Sequence, residues 1–285
     1  MKPVRLPASA TLALPRWGLI ALCLLYILPG LIRRDPWKSD DAAGFGIMWT
    51  MARGGWQDWL LPHIAGLPVP GEGPLAFWLG ALFIRLFGWL LGDALAARIA
   101  TIGFFLIGAL SVWYSTYLLG RRTETQPIRL AFGGQPEARD YGRTLADGAL
   151  LIYLGCLGLL LRSHETTAEA LQISLIAFAI YAGVRLFESQ SMRAAVTLGA
   201  TLGLLVLTRG WLVPLAMWSA LVLASPRHGE RLLQRLTLVA LPMGFAIGAI
   251  WPLLNALALP YGVNPTQSWL EWNAAQLALP SVHSL

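Results

Sequence analysis

Long apolar runs separated by short polar segments make up most of the chain. A helix needs about 20 apolar residues to cross the hydrocarbon core of a bilayer, and several runs approach or exceed that length. They lie at residues 17–33, 94–119, 145–161, 170–187, 194–208, 211–224 and 236–259. A further run, 75–91, is short and carries Arg85 near its middle. Because helices satisfy their own backbone hydrogen bonds in lipid, the pattern predicts an all-α, polytopic helical membrane protein.

The polar stretch 34–74 interrupts this pattern after the first run and contains the sequence KSDD at 38–41. Ser39 is expected to cap the helix that follows, with Asp40 and Asp41 in its first turn, where the helix dipole favours ionised carboxylates. A carboxylate held ionised at a membrane face can accept a proton or orient a substrate hydroxyl. The spacing is equally compatible with a pair that only caps a helix.

Basic residues indicate how the chain crosses the membrane. Lys2, Arg5 and Arg16 precede the first run, which places the N-terminus in the cytoplasm by the positive-inside rule. If 75–91 crosses the bilayer, the arginine-rich stretch 120–144 falls outside. If 75–91 stays on the outer side as a re-entrant or interfacial helix, that stretch falls inside. We prefer the second threading, because it keeps the arginine-rich loops cytoplasmic.

The preferred threading predicts one module, 1–285, of about seven transmembrane helices. Stretch 34–74 becomes the first periplasmic loop, with juxtamembrane helices, and 260–285 becomes an external C-terminal segment. Whether the chain is a fragment of a longer protein is left open. The external loops then hold Asp40, Asp41, Glu72, His164, Glu165, Glu169 and Arg209. A gathering of polar residues on one face is expected of a site that faces the periplasm.

Composition excludes some functions. Only 13% of residues are charged while 56% are hydrophobic, and the basic pI of about 9.7 comes mainly from arginines in short loops. That distribution is typical of membrane anchoring and argues against nucleic-acid binding. Cys23 and Cys156 lie within apolar runs without metal-ligand spacing, so we expect them to be packing residues. No diagnostic ligand spacing occurs around His164 either, and no required metal is predicted.

Several short motifs resemble the first external loop of the GT-C glycosyltransferases. The closest branch contains bacterial lipid A aminoarabinose transferase and the protein O-mannosyltransferases. The motifs are DPWKSDD at 35–41, MARGGW at 51–56, LPHIAG at 61–66, GEGPLAFWLG at 71–80 and GLLVLTRG at 203–210. The first four follow the family order of acidic pair, juxtamembrane helix, Trp-Pro segment and "E-K-P-P" before an apolar run. The last resembles the family's "GLxxLT(K/R)G" turn.

The resemblance implies a transferase of the bacterial inner membrane. It would take a sugar from a polyprenyl-phosphate carrier and pass it to a periplasmic-face acceptor, which is lipid A, a protein or an envelope glycan. Asp40 matches the family's essential first acidic residue, and Asp41 occupies the usual Glu position. The implied step is an in-line displacement in which Asp40 accepts or orients the acceptor proton. The implied partners are membrane lipids and the lipid-linked donor, with no required cofactor.

One departure from the family concerns the donor phosphate. Gly73 stands where "E-K-P-P" has a Lys, so phosphate binding would fall to Arg53, Arg162 or Arg209. The planar fork of arginine suits that role, because it pairs with two phosphate oxygens at once. For Arg209 the alternative is simple snorkelling to the interface.

Three further residues are candidates for substrate contacts. Glu72 aligns with the family motif and is expected to bind acceptor or donor hydroxyls, while a solvated loop charge is the alternative. His164 and Glu169 belong to the second external loop, where Glu169 matches the family's acidic residue better than Glu165 does. A solvated turn is the alternative for that loop.

Two other functions compete with the transferase. The first is a catalytically silent membrane subunit or scaffold that keeps the fold without the phosphate Lys. The second is a transporter, which the scarcity of charges within the helices and the lack of paired broken helices disfavour.

Overall fold

The computed structural model describes residues 7–11, 13–31, 34–36, 38–69, 72–128, 131, 133–225, 229–258, 270–272 and 274. Their helices are α1 (Arg16–Ile27), α2 (Ser39–Arg53), α3 (Leu75–Leu91), α4 (Asp93–Gly120), α5 (Ala138–Gly155), α6 (Leu157–Arg162), α7 (Ala168–Ser189), α8 (Met192–Arg209), α9 (Leu212–Ala224), α10 (Glu230–Arg235), α11 (Leu241–Gly248) and α12 (Ile250–Ala258). Strands β1 (His63–Ile64) and β2 (Leu67–Pro68) form a small antiparallel hairpin. A π-helical turn, Leu236–Ala240, joins α10 to α11.

The predicted class, an all-α polytopic membrane protein, is confirmed. In the described part of the chain, α4, α7, α8 and the continuous stretch Glu230–Leu257 are long and apolar enough to cross a membrane. The apolar helices α1, α3 and α9 are shorter. Lys2, Arg5 and nearly all of the predicted external segment 260–285 lie outside the described residues.

Two predicted runs differ from the helices that form. The run 17–33 becomes α1, which ends at Ile27, because Pro29 lacks the N–H that the next helical hydrogen bond requires. The run 145–161 is broken at Cys156, which has an extended backbone between α5 and α6. Helix α5 also begins earlier, at Ala138, in a polar turn that an apolar run does not reveal.

Close helix packing in the bundle depends on small residues. Gly199 of α8 lies against the backbone of Ala240, and Gly203 lies against Gly244 and Ile247 of α11. A Cβ atom at Gly199 or Gly203 would come too close to these neighbours. Small residues four apart on one helix therefore allow close backbone approach, as in other membrane helix pairs.

One end of the bundle, which we call the site end, collects several helix termini. Near the start of α4, Arg98 lies 3.3 Å from Asp41 of α2. Thr166, just before α7, donates its N–H to the same carboxylate at 2.8 Å. Arg209 at the end of α8 lies 3.0 Å from Glu169 in the first turn of α7. The beginnings of α2, α4 and α7 thus meet the end of α8.

Helix α3 has both of its ends at the site end. Before it, Gly73 donates its N–H to the carbonyl of Thr208 at 3.0 Å, and after it comes Asp93, the first residue of α4. Helix α2 lies alongside, with Met48 packed on Gly80. The threading in which 75–91 does not cross the bilayer stays a prediction, as does the side of the membrane that this end faces.

Candidate active site at one end of the bundle

The acidic pair lies in the first turn of α2, as predicted. Ser39 does not cap the helix, however, because Lys38 occupies the N-cap position and makes no side-chain capping hydrogen bond. The Ser39 hydroxyl instead donates to Oδ1 of Asp40 at 3.4 Å. Successive helical residues point about 100° apart, so Asp40 and Asp41 face different surroundings.

Asp41 is completely buried and joins three parts of the fold. Its Oδ1 accepts the backbone N–H of Thr166 at 2.8 Å. The Thr166 hydroxyl lies 2.8 Å from both Oδ1 and the carbonyl oxygen of Asp41. Oδ2 accepts a hydrogen bond from Arg98 at 3.3 Å, and Arg98 donates another to the carbonyl of Leu31. Arg98, an arginine within an apolar run, is itself fully buried beside Asp41.

Asp40 is solvent-exposed, with 65% of its side chain accessible, and lies 3.5 Å from Nη1 of Arg162. Arg162 ends α6 and also pairs with Glu165 at 3.1 Å, one turn further along. Lys38 reaches the other oxygen of Glu165 at 2.7 Å. The exposed carboxylate of the pair therefore faces an arginine.

A second arginine stands between two carboxylates. Nη1 of Arg209 lies 3.0 Å from Glu169, and Nη2 lies 3.6 Å from Glu72. Electrostatic interactions of Glu72 with both Asp40 and Arg162 link this group to the first one. We call the combined set the acid–arginine cluster: Asp40, Glu72, Arg162, Glu165, Glu169 and Arg209.

Glu72 has the most unusual ionisation in the cluster. Burial raises its pKa to about 7; Arg209 and Arg162 oppose the shift, while Glu169 and Asp40 add to it. Its Oε2 atom is buried and has no hydrogen-bond partner among the described residues. Glu72 therefore exchanges a proton near neutral pH.

His164 lies behind the cluster rather than in it. The buried ring places Nδ1 2.6 Å from the carbonyl oxygen of Leu160 and Nε2 3.0 Å from that of Tyr26. Gly30 allows this close approach, because a Cβ at that position would overlap the imidazole. His164 thus fastens the end of α1 to the loop that carries Thr166.

Arg53 lies at the opposite end of α2 from the acidic pair. Its guanidinium contacts both carboxylate oxygens of Asp93 at 2.8 Å, and the indole of Trp49 donates to the same carboxylate. At a rise of about 1.5 Å per residue, Arg53 begins roughly 20 Å along the helix from Asp40. The structure does not bring Arg53 into the cluster.

The backbone at Gly73 leaves no room for the family's lysine. A Cβ atom there would overlap the carbonyl group of Leu207. The hydrogen bond to Thr208 holds this loop against the end of α8, directly beside Arg209. An arginine from α8 is therefore near the position where the family motif has a cation.

An apolar groove of about 620 Å³ runs between α8, α9, α11 and α12. Its walls include Leu202, Val206, Trp218 and Phe245. Val206 and Trp211, both part of its lining, lie within three residues of Arg209. One end of the groove is therefore close to the acid–arginine cluster.

Among the described residues, no group of three His, Cys, Asp or Glu side chains is arranged to hold a metal ion.

Comparison with solved structures identifies the fold. Crystal structures of ArnT from Cupriavidus metallidurans in the apo state and bound to undecaprenyl phosphate each match with a TM-score of 0.59. Sequence identity is 21% and 19%, over 85% and 86% of this chain. The chain has an ArnT-like fold. It spans about two fifths of the ArnT chain, 41% and 42% in the two structures. No protein-family model and no curated protein sequence matches it.

Within this ArnT-like fold, sequence reasoning named most of the cluster. Arg162 was predicted only as one of three arginines that could bind the phosphate. Its position three residues before Glu165, at the end of a helix, indicates an ion pair between the two side chains. Arg98 was missed as a partner of the acidic pair. The sequence feature that indicates this contact is the position of Arg98 inside an apolar run. An arginine there requires a buried carboxylate as its counter-charge unless its side chain reaches water.

Proposed function

We propose that the protein is a glycosyltransferase that moves a sugar from a polyprenyl-phosphate carrier to a hydroxyl acceptor at the periplasmic face of a bacterial inner membrane. The observation that carries this proposal is the exposed Asp40 carboxylate beside the arginines of the acid–arginine cluster. The ArnT-like fold supports it, because one of the matching ArnT structures contains undecaprenyl phosphate. Lipid A, a protein and an envelope glycan are the candidate acceptors.

Arg162 and Arg209 would bind the donor phosphate. Their guanidinium groups can each present two parallel N–H donors to phosphate oxygens. The apolar groove beside Arg209 has the chemistry to hold the polyprenyl chain while the phosphate stays at the cluster. Positive charge beside the phosphate stabilises the negative charge that develops on the leaving group.

Asp40 would act as the general base. The acceptor oxygen forms a bond to the anomeric carbon as the bond from that carbon to the phosphate oxygen breaks. The bonding electrons leave with polyprenyl phosphate, and the acceptor proton passes to the Asp40 carboxylate. Asp41 cannot take this role, because both of its oxygens are buried and hydrogen-bonded. Its proposed function is to hold the first turn of α2 in place.

Replacing Asp40 by Asn tests the proposal. The change keeps size and hydrogen bonding but removes the proton acceptor, so we expect the transfer rate to fall by about 10² or more. The assay is sugar transfer from a polyprenyl-phosphate donor in membranes. Asp140→Asn is the matched control, because Asp140 is also an exposed aspartate in the first turn of a helix and lies at the other end of the bundle.

Transfer at the parental rate by Asp40→Asn would contradict the proposed mechanism. The catalytically silent subunit would then be the better interpretation, because Gly73 already lacks the family's cation. Loss of transfer in Asp140→Asn as well would indicate damage to the fold instead of to the site.

A further inference from the structure

Arg209 is shared by two carboxylates of the cluster. Glu169 takes its Nη1 at 3.0 Å and Glu72 takes its Nη2 at the longer distance of 3.6 Å. The second oxygen of Glu72 is buried without a hydrogen-bond partner among the described residues. Of the two carboxylates that contact Arg209, Glu72 therefore has the weaker ion pair and an oxygen without a hydrogen bond.

The charges that face Glu72 come from four helices. They are Asp40 of α2, Arg162 of α6, Glu169 of α7 and Arg209 of α8. A phosphate that binds the two arginines adds negative charge and draws their N–H groups away from the carboxylates. The cluster would then hold more negative charge than its arginines can neutralise, and this is least favourable at the buried Oε2 atom of Glu72.

We propose that Glu72 takes up a proton when a phosphate group binds to Arg162 and Arg209. The protonated carboxyl can donate a hydrogen bond to the bound anion instead of repelling it. This inference rests on the proposed function and specifies how the same site accommodates its donor.

Position in the fold selects Glu72 among the acids of the cluster. Asp40 is open to solvent, and Glu169 has the shorter contact with Arg209, 3.0 Å from Nη1. Glu72 lies in the loop before α3 at the longer distance of 3.6 Å from Arg209, and its Oε2 atom is buried without a hydrogen-bond partner among the described residues. Burial also gives Glu72 a pKa of about 7 before any ligand is present, so little further change is needed.

The coupling has a definite sign. A bound phosphate raises the pKa of Glu72 further, so binding consumes a proton above pH 7, where the free carboxyl is mostly ionised. Affinity should therefore fall by up to about tenfold per pH unit above pH 7.5. Below pH 6 the free carboxyl is already protonated, and Glu72 should contribute no pH dependence there.

The test is isothermal titration calorimetry of the purified chain in detergent, with undecaprenyl phosphate as the probe. Repeating the titration at pH 8 in buffers of different ionisation enthalpy gives the number of protons taken up. A phosphate monoester itself titrates near pH 6, so the protein contribution is the difference between the parent and Glu72→Gln. Glu188→Gln is the matched control, because Glu188 also pairs with an arginine, Arg122, but at the other end of the bundle.

We expect the parent and Glu188→Gln to take up close to one proton more than Glu72→Gln at pH 8. Glu72→Gln should also bind more tightly than the parent at pH 8.5, by about tenfold or more. Inorganic phosphate in place of the lipid should show the same coupling if the headgroup alone is sufficient. Coupling with inorganic phosphate but not with the lipid would overturn the proposal for the lipid-linked donor.

Equal proton uptake by the parent and Glu72→Gln would overturn the proposal while leaving donor binding intact. The same uptake with undecaprenol, which lacks the phosphate, would overturn it too. No binding of undecaprenyl phosphate at any pH would reject the proposed donor and this inference together. If Glu72→Gln does not fold, the proton number of the parent still decides, because a value no larger than the titration of the lipid allows contradicts the proposal.

Discussion

Asp40 and Asp41 are adjacent in the chain, yet one side chain is 65% exposed and the other is completely buried. The helical rotation between them places one carboxylate in the acid–arginine cluster and the other beside Arg98. The exposed Asp40 carboxylate is open to a substrate, while both oxygens of Asp41 already accept hydrogen bonds inside the fold. The neighbours of each residue decide its role.

Asp41→Asn should destabilise the fold far more than Asp40→Asn. Removing the negative charge leaves Arg98 buried without its counter-ion, which costs about 3–5 kcal/mol for a typical buried pair. An exposed pair such as that of Asp40 contributes about 1 kcal/mol or less. Thermal unfolding in detergent measures the difference, and equal midpoints for the two variants would contradict this account of Asp41.

For single residues, the sequence predicted which side chains belong to the site better than it predicted which neighbours each side chain contacts. Asp40, Glu72, Glu169 and Arg209 were all expected near a site, and the structure brings them together. The burial of Asp41 was not predictable, because its partners Arg98 and Thr166 are 57 and 125 positions away in the chain. Only the folded arrangement of α2, α4 and the loop before α7 reveals those contacts.

Among the structural elements, the loop before α3 packs closely against the end of α8. Gly73→Ala should lower the midpoint of thermal unfolding, because the added Cβ overlaps the backbone of α8, and such overpacking typically costs about 1–3 kcal/mol. Gly103→Ala is the control, because Gly103 lies within α4 and has open space around its Cα. It should be neutral or stabilising by up to about 1 kcal/mol.

Gly73→Lys extends this test to function. The long side chain cannot occupy the family's position without displacing the end of α8, so the variant should lose donor binding instead of gaining it. Tighter binding of undecaprenyl phosphate by Gly73→Lys would show that the loop can move and that our account of the substitution is wrong.

The apolar runs predicted the long helices closely, since burial in lipid leaves a strong pattern. Helices α4, α7 and α8 begin and end within two residues of the predicted bounds. The break at Cys156 and the early start of α5 were not predicted. Neither leaves a signal in apolar content, because the break is itself apolar and the first turns of α5 are polar.

For the molecule as a whole, the orientation in the membrane is the remaining prediction. Gln57, just after α2 at the site end, and Glu137, just before α5 at the other end, are both exposed. Single cysteines at these positions, after Cys23 and Cys156 are replaced by Ala, should respond differently to a membrane-impermeant maleimide in spheroplasts. The cysteine at 57 should be labelled, and the one at 137 should need permeabilisation.

Two results of the maleimide labelling would contradict the predicted orientation in different ways. Labelling at both positions without permeabilisation would show that the threading is wrong. Labelling only at position 137 would show that the bundle is inverted, which would place the acid–arginine cluster in the cytoplasm and exclude a periplasmic acceptor.

The last member of the cluster along the chain, Arg209, also has a consequence for biosynthesis. Asp40, Glu72, Glu165 and Glu169 are all made before it, and Arg162 is the only arginine of the cluster made among them. A nascent chain that has emerged only as far as α7 therefore lacks the arginine that contacts both Glu72 and Glu169. Arg209 is one of the two arginines proposed to bind the donor phosphate, so we expect a chain truncated before residue 209 to lose that binding.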